Sequence, residues 1–161
     1  MAPYIEHRIP RGQWSLYTRE YPGEDPPFVL MHGFPDNLLI YAALASVLAT
    51  AGRRTIAFDF LGYGASEKPA SHEYSLEGLE ADLEAVVRGL RLRPVVLVAH
   101  DASGPTALNW ALEHQQHITG IGLLNTYYEP TRAYVSRSSS VCSPTPGTRT
   151  CARRSPPNQR N

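Results

Sequence analysis

Val95-Val96-Leu97-Val98-Ala99-His100-Asp101-Ala102-Ser103-Gly104-Pro105 is the stretch whose reading decides the fold. It begins as an apolar, β-branched run, which suits a strand covered on both faces. The run stops at His100-Asp101 and passes into small residues. A helical pattern then begins at Pro105-Thr106-Ala107-Leu108-Asn109-Trp110-Ala111-Leu112. Strand, sharp turn and helix in that order push the side chain at the top of the turn into a cleft. Such a turn is crowded. Ala99 and Ser103, two residues either side of Asp101, are suitably small. The pattern is that of a nucleophile elbow, with Asp where Ser is more common. The plainer alternative is an ordinary turn in which Asp101 caps the helix.

Downstream, the helix runs from Gly104 to about His114. A short connection leads to a further apolar strand, Ile118-Thr119-Gly120-Ile121-Gly122-Leu123-Leu124. His114 and His117 stand three apart near the helix end, where a solvated terminus is the simpler reading than a metal pair. Upstream, Arg93-Pro94 closes a helix that Ser75 caps. Leu76, Leu79, Leu83, Val86, Val87 and Leu90 give it one apolar face. Its acids Glu77, Glu80, Asp82 and Glu84 read as a solvated face. Before it stand a strand, Arg54–Phe60, and a Gly-bearing loop, residues 61–69. That loop lacks the Gly-x-Gly-x-x-Gly spacing of a phosphate cradle. Further upstream, Phe28–Met31 is a short buried strand, His32-Gly33-Phe34-Pro35-Asp36-Asn37 a loop, and Leu38–Ala51 a helix closed by Gly52. A loop at the C-terminal end of a buried strand is where open α/β sheets bind ligands. The Phe34 N–H there suits a developing negative charge. Residues 22–27 read as loop, and residues 4–21 as an antiparallel hairpin turning at Pro10-Arg11-Gly12. The fold class is therefore α/β: a mostly parallel, doubly wound sheet with an antiparallel N-terminal hairpin.

The chain has 161 residues and formal net charge zero, which argues against a nucleic-acid partner. The zero hides an asymmetry. All 15 acids lie in residues 1–130 with 9 Lys or Arg, a balance of −6, and residues 131–161 carry 6 Arg and no acid, a balance of +6. Both cysteines, Cys142 and Cys151, lie in that last segment, so no disulfide framework holds the body. No apolar run is long enough for a bilayer, and the first residues lack the plan of a signal peptide. The expectation is a cytoplasmic protein without a membrane partner.

Three landmarks carry a resemblance. They are His32-Gly33-Phe34-Pro35, then Asp59-Phe60-Leu61-Gly62-Tyr63-Gly64-Ala65-Ser66-Glu67-Lys68-Pro69, then Val98-Ala99-His100-Asp101-Ala102-Ser103-Gly104. In order and spacing they resemble the α/β-hydrolase fold over residues 4–128. More narrowly they resemble its Asp-nucleophile branch, the haloalkane dehalogenases and epoxide hydrolases. The resemblance implies a small-molecule substrate, an epoxide or a haloalkane, and neither cofactor nor metal. Asp101 would attack a substrate carbon, opening the epoxide or expelling a halide. A carboxylate needs no adjacent base for this at neutral pH. The product would be an alkyl ester on Asp101, hydrolysed by water that a His activates. The N–H groups of Phe34 and Ala102 would form the oxyanion hole, aided by the positive end of the helix that follows.

The sequence departs from that pattern in places. Ala102 stands where dehalogenases usually place a Trp that holds the halide. Phe34 stands where many have Asn for the same task, and His-Gly-Phe-Pro looks more like an epoxide hydrolase. Residues 59–69 look more like a dehalogenase. The family pattern continues beyond Tyr128 into a cap, further strands, a second acid and the catalytic His. Here residues 130–161 are rich in Pro, Ser, Thr and Arg. The expectation is a partial core domain, residues 1–129, followed by a disordered tail, residues 130–161, of read-through or truncation origin. A basic tail with a binding role is the alternative. None of the six histidines occupies the family's base position. The chain is then a hydrolase by ancestry that fails to turn over. Two alternatives remain, a non-catalytic remnant or binding module and an esterase with Ser103 as nucleophile. Asp101 and Pro105 would flank Ser103 at its two small positions, which disfavours the second.

Overall fold

The computed structural model describes residues 2–71 and 74–128. The tail, its boundary after residue 129, both cysteines and His72 lie outside them. Six strands form one sheet: β1 (Ile5–Arg11), β2 (Trp14–Tyr21), β3 (Glu24–Met31), β4 (Arg53–Phe58), β5 (Val95–His100) and β6 (Ile118–Leu124). Their spatial order is β1-β2-β4-β3-β5-β6. β1 and β2 form the hairpin, with Ile5 opposite Glu20 and Arg11 opposite Trp14, and β2 meets β4 antiparallel. β4, β3, β5 and β6 run parallel. This is the α/β architecture read from the sequence.

Alternation along the central strands divides the core in two. Val29 and Met31 of β3, Ile56 and Phe58 of β4, and Leu97 and Ala99 of β5 face one side. They pack there against Leu83, Val86 and Val87 of α2 (Leu76–Gly89) and Ala107 and Trp110 of α3 (Ser103–Glu113). Leu30 and Ala57 face the other side, under Tyr41 and Ala45 at the start of α1 (Ala42–Thr50). Burying each large apolar side chain contributes about 1.5–3 kcal/mol, so the two layers are what hold the sheet. Ser75 caps α2 by accepting the Gly78 N–H at 3.1 Å.

The structure corrects the sequence reading in four places. Residues 24–27 belong to β3 and not to a loop. Glu24 pairs with Arg53, and the register shifts before Phe28, which accommodates Pro26 and Pro27. β4 ends at Phe58, two residues early. The helix expected over 38–51 is two pieces, a 3-10 turn at Leu38–Tyr41 and then α1, because Asn37 Oδ1 takes the Leu39 N–H at 3.0 Å. Asp82 is wholly buried and not on a solvated face. Its carboxylate accepts from Arg11 Nε and from the Leu61 N–H, each at 2.9 Å, which ties the hairpin to α2. Glu80 and Glu84 face α3, accepting from Asn109 at 2.8 Å and Trp110 Nε1 at 3.0 Å. Among the described residues, no helix is long and apolar enough to cross a membrane.

Candidate active site

The parallel strands β3, β4 and β5 end together, and three loops meet there. The β5–α3 turn is the tightest. Asp101 takes φ +51°, a left-handed conformation that costs a residue with a Cβ about 1–3 kcal/mol. Neighbouring groups hold it there. The Asp101 N–H donates to Leu124 O at 3.1 Å, and Asp101 O accepts from the Gly104 N–H at 3.1 Å and Thr126 Oγ1 at 2.5 Å. α3 begins immediately after, with Ala102 at its N-cap and no side-chain cap. Asp101 is therefore not the cap. Its carboxylate turns instead to the β3 loop.

That loop meets it directly. The Phe34 N–H donates to Asp101 Oδ2 at 3.0 Å. The approach requires glycine at 33. A Cβ there would lie 2.5 Å from Asp101 Cβ and 2.8 Å from Oδ2. Of the two amides expected at an oxyanion hole, Phe34's makes this bond. Ala102 lies beside it as N-cap, and its N–H is among those a helix leaves without an internal acceptor. The pair Asp101 and Phe34, 67 residues apart in sequence, is thus brought together.

Ser103 is brought close but used otherwise. It is buried, its Oγ accepts the His100 N–H at 3.0 Å, and Met31 O and His100 O each lie 2.9 Å away to take its proton. A hydroxyl donating to a backbone carbonyl has no base to activate it. This counts against the esterase alternative.

Three further residues shape the site in roles that the sequence reading did not assign. Asp59, just past the end of β4, is buried and accepts from the Leu38 and Ala65 N–H groups, each at 2.7 Å. It joins the β3 and β4 loops. His32 is buried, edge-on to Phe60 and Tyr63 at 5.2 and 5.3 Å between centroids. Burial pushes its imidazole below the ordinary His range. Tyr41 donates to Met31 O at 2.8 Å, and burial pushes its hydroxyl up to about 12.

A small apolar cleft opens between Phe34, Tyr63, Leu79 and Ala102. Phe34 is 66% exposed and meets Tyr63 edge-on at 6.5 Å, and Tyr63 meets Tyr74 the same way at 5.7 Å. No group of three or more His, Cys, Asp or Glu suited to a metal occurs among the described residues. His114 lies stacked on Trp110 at 4.2 Å, its Nδ1 against Trp110 O.

Mostly parallel sheet, turn and loop together define an α/β-hydrolase architecture. The family model for the alpha/beta hydrolase fold matches residues 26–157, and the chain belongs to that family. It is 36% identical over 115 residues to bifunctional epoxide hydrolase 2 of Sus scrofa, covering 71% of this chain and 21% of that one. It is 32% identical over 125 residues to a fluoroacetate dehalogenase of Burkholderia sp, covering 72% of this chain and 41% of that one. The crystal structure of a haloalkane dehalogenase from Agrobacterium tumefaciens C58 superposes with a TM-score of 0.74 at 26% identity, covering 88% of this chain and 50% of that one. The chain thus spans half or less of each of these relatives.

Proposed function

We propose that the site is that of an Asp-nucleophile hydrolase acting on small electrophilic molecules, epoxides before haloalkanes. The observation that supports it is the Phe34 N–H on Asp101 Oδ2. One carboxylate oxygen is held and the other is left to react. Oδ1 forms a bond to a substrate carbon, and the carbon–oxygen bond of the epoxide breaks. The released alkoxide takes a proton from water. With a haloalkane the carbon–halogen bond breaks and the halide leaves. Oδ2 becomes the ester carbonyl oxygen, already on an N–H donor. When water attacks that ester, charge develops on Oδ2, where Phe34 and Ala102 and the N-terminal end of α3 meet it.

Epoxides are preferred because neither Phe34 nor Ala102 carries a side-chain N–H for a departing halide. Ester release needs a base within reach of Asp101. His7 is paired with Glu20 at 2.8 Å, His114 is stacked on Trp110, and His117 lies at the opposite end of the sheet, before β6. Both ring nitrogens of His32 are engaged, and His100, at the end of β5 next to Asp101, has a buried Nδ1 with no hydrogen-bond partner among the described residues, so no acid orients it as a base. The 161-residue chain is expected on this reading to alkylate and not to turn over.

The test is peptide mass spectrometry after incubation with styrene oxide. One adduct per chain on Asp101, absent in Asp101→Asn, is the expected result. An adduct elsewhere, or none on Asp101 at any concentration of the probe, refutes the assignment. Sustained diol formation would refute the absence of turnover.

A further inference from the structure

His32 is buried in the β3 loop, two residues before Phe34, with both ring nitrogens engaged. Its Nε2 lies 3.2 Å from the Phe60 backbone nitrogen, and its Nδ1 lies 2.8 Å from Gly33 O. A backbone N–H can only donate, so Nε2 must present its lone pair. The proton is then on Nδ1, and Nδ1–H donates to the Gly33 carbonyl. That carbonyl belongs to the same planar peptide unit as the Phe34 N–H. In a trans peptide the two point in opposite directions. Fixing the carbonyl on one side therefore aims the N–H on the other, and it is aimed at Asp101 Oδ2 at 3.0 Å.

We infer that His32 is a positioning residue, a neutral Nδ1–H imidazole that completes, beside the Asp36 N–H, the lock on the Gly33–Phe34 peptide so that its N–H faces the Asp101 carboxylate. The role for that carboxylate rests on the reading under Proposed function. The positioning itself does not.

Three other features agree with this. Gly33 has no side chain to resist a peptide flip, so its orientation comes from the two hydrogen bonds its carbonyl accepts, one from His32 Nδ1 at 2.8 Å and one from the Asp36 N–H at 3.0 Å that closes the turn. The ring is 2% exposed and clamped edge-on by Phe60 and Tyr63, so it has no room to turn over. Desolvation opposes a second proton on it and outweighs the pull of Asp59 and Asp36, the two acids that act on it. An imidazolium would place an N–H against the Phe60 N–H.

The experiment uses the full chain, labelled with 15N and 13C. Histidine ring nitrogen shifts report the tautomer of His32. The Phe34 amide resonance is followed across the titration of the Asp101 carboxyl carbon. Two variants are compared. In His32→Asn the amide nitrogen takes the place of Nδ1 and keeps the donor to Gly33 O. In His32→Phe the volume is kept and the donor is lost. Expected are an Nδ1–H tautomer and a Phe34 amide that follows Asp101 ionisation in the parent and in His32→Asn. In His32→Phe it stops following. Styrene oxide labelling in His32→Phe falls about tenfold to a hundredfold, as for a reacting group misplaced by about 1 Å, with rescue by Asn. An Nε2–H tautomer in the parent overturns the inference even where His32→Phe fails to fold. So does a folded His32→Phe in which the Phe34 amide still follows Asp101. If the parent shows the co-titration but no adduct, the proposed chemistry fails and the positioning role stands.

Discussion

Gly33→Ala puts the least possible matter into the place where the structure has least room. The new Cβ would stand 2.5 Å from Asp101 Cβ, 2.8 Å from its Oδ2 and 2.9 Å from His100 O. Carbon atoms in contact sit about 3.5–4.0 Å apart, so about 1 Å must be found. Asp101 cannot retreat. Its turn is tied to Leu124 and Thr126 on one side and leads straight into α3 on the other. The β3 loop must move, and the bond from the Phe34 N–H goes with it. Overpacking of this kind costs about 1–3 kcal/mol. The loss falls more heavily on chemistry, since about 1 Å of misplacement costs about a hundredfold in rate. The assay pairs a thermal melt with a time course of styrene oxide labelling at Asp101. A folded Gly33→Ala variant that labels at the parent rate would show that contact between loop and carboxylate is incidental.

Other perturbations separate the roles of neighbouring residues. Ser103→Ala should label on Asp101 as before while losing about 1–2 kcal/mol in denaturant titration, because its hydroxyl joins β3 to the β5–α3 turn; loss of labelling with the fold intact would revive Ser103 as a reacting group. Tyr41 has its folded pKa raised to about 12 from an ordinary 10.0, so its share of stability is complete below pH 10 and lost as pH rises towards 12, by about 2–3 kcal/mol at most. Tyr41→Phe should flatten that alkaline fall and cost only about 1 kcal/mol at neutral pH, since Ser103 also reaches Met31 O. His32 has the opposite dependence. Its folded pKa lies below the ordinary value, so the unfolded chain binds the extra proton first, and stability declines as pH falls below about 6.5. Melts of His32→Asn across that range should lack this component. Asp82→Ala should be the most damaging of these changes, about 3–5 kcal/mol, because it leaves the Leu61 N–H without its acceptor and Arg11 without its counter-charge.

The sequence carried the scaffold because its signals are local. Val95–Ala99 needs no partner to read as a buried strand, and the small residues around Asp101 announce a tight turn by themselves. Resemblance across three separated landmarks then joined Phe34 to Asp101, and the structure sets them 3.0 Å apart. Where the reading failed, the deciding partner was distant. Pro26 and Pro27 look like loop until a strand beside them absorbs a register shift. Asp82 looks solvated on a helical wheel until Arg11, 71 residues away, arrives beside it. His32 reads as a loop histidine until its second nitrogen finds Phe60, 28 residues on. Hydrogen bonds of that span leave no periodic trace in the chain.

The residues that clamp Asp101 into its left-handed turn are made after it. Thr126 follows Asp101 by 25 positions, and Leu124 belongs to the last strand of the sheet described here. A chain growing from its N-terminus exposes Asp101 while its two restraints do not yet exist. During that interval the residue is an ordinary acid on a slack backbone, free to relax to negative φ. Its left-handed turn gains both restraints only when β6 docks and supplies Leu124 and Thr126. Under the proposed chemistry, the carboxylate is therefore in its working position only once that strand has joined the sheet.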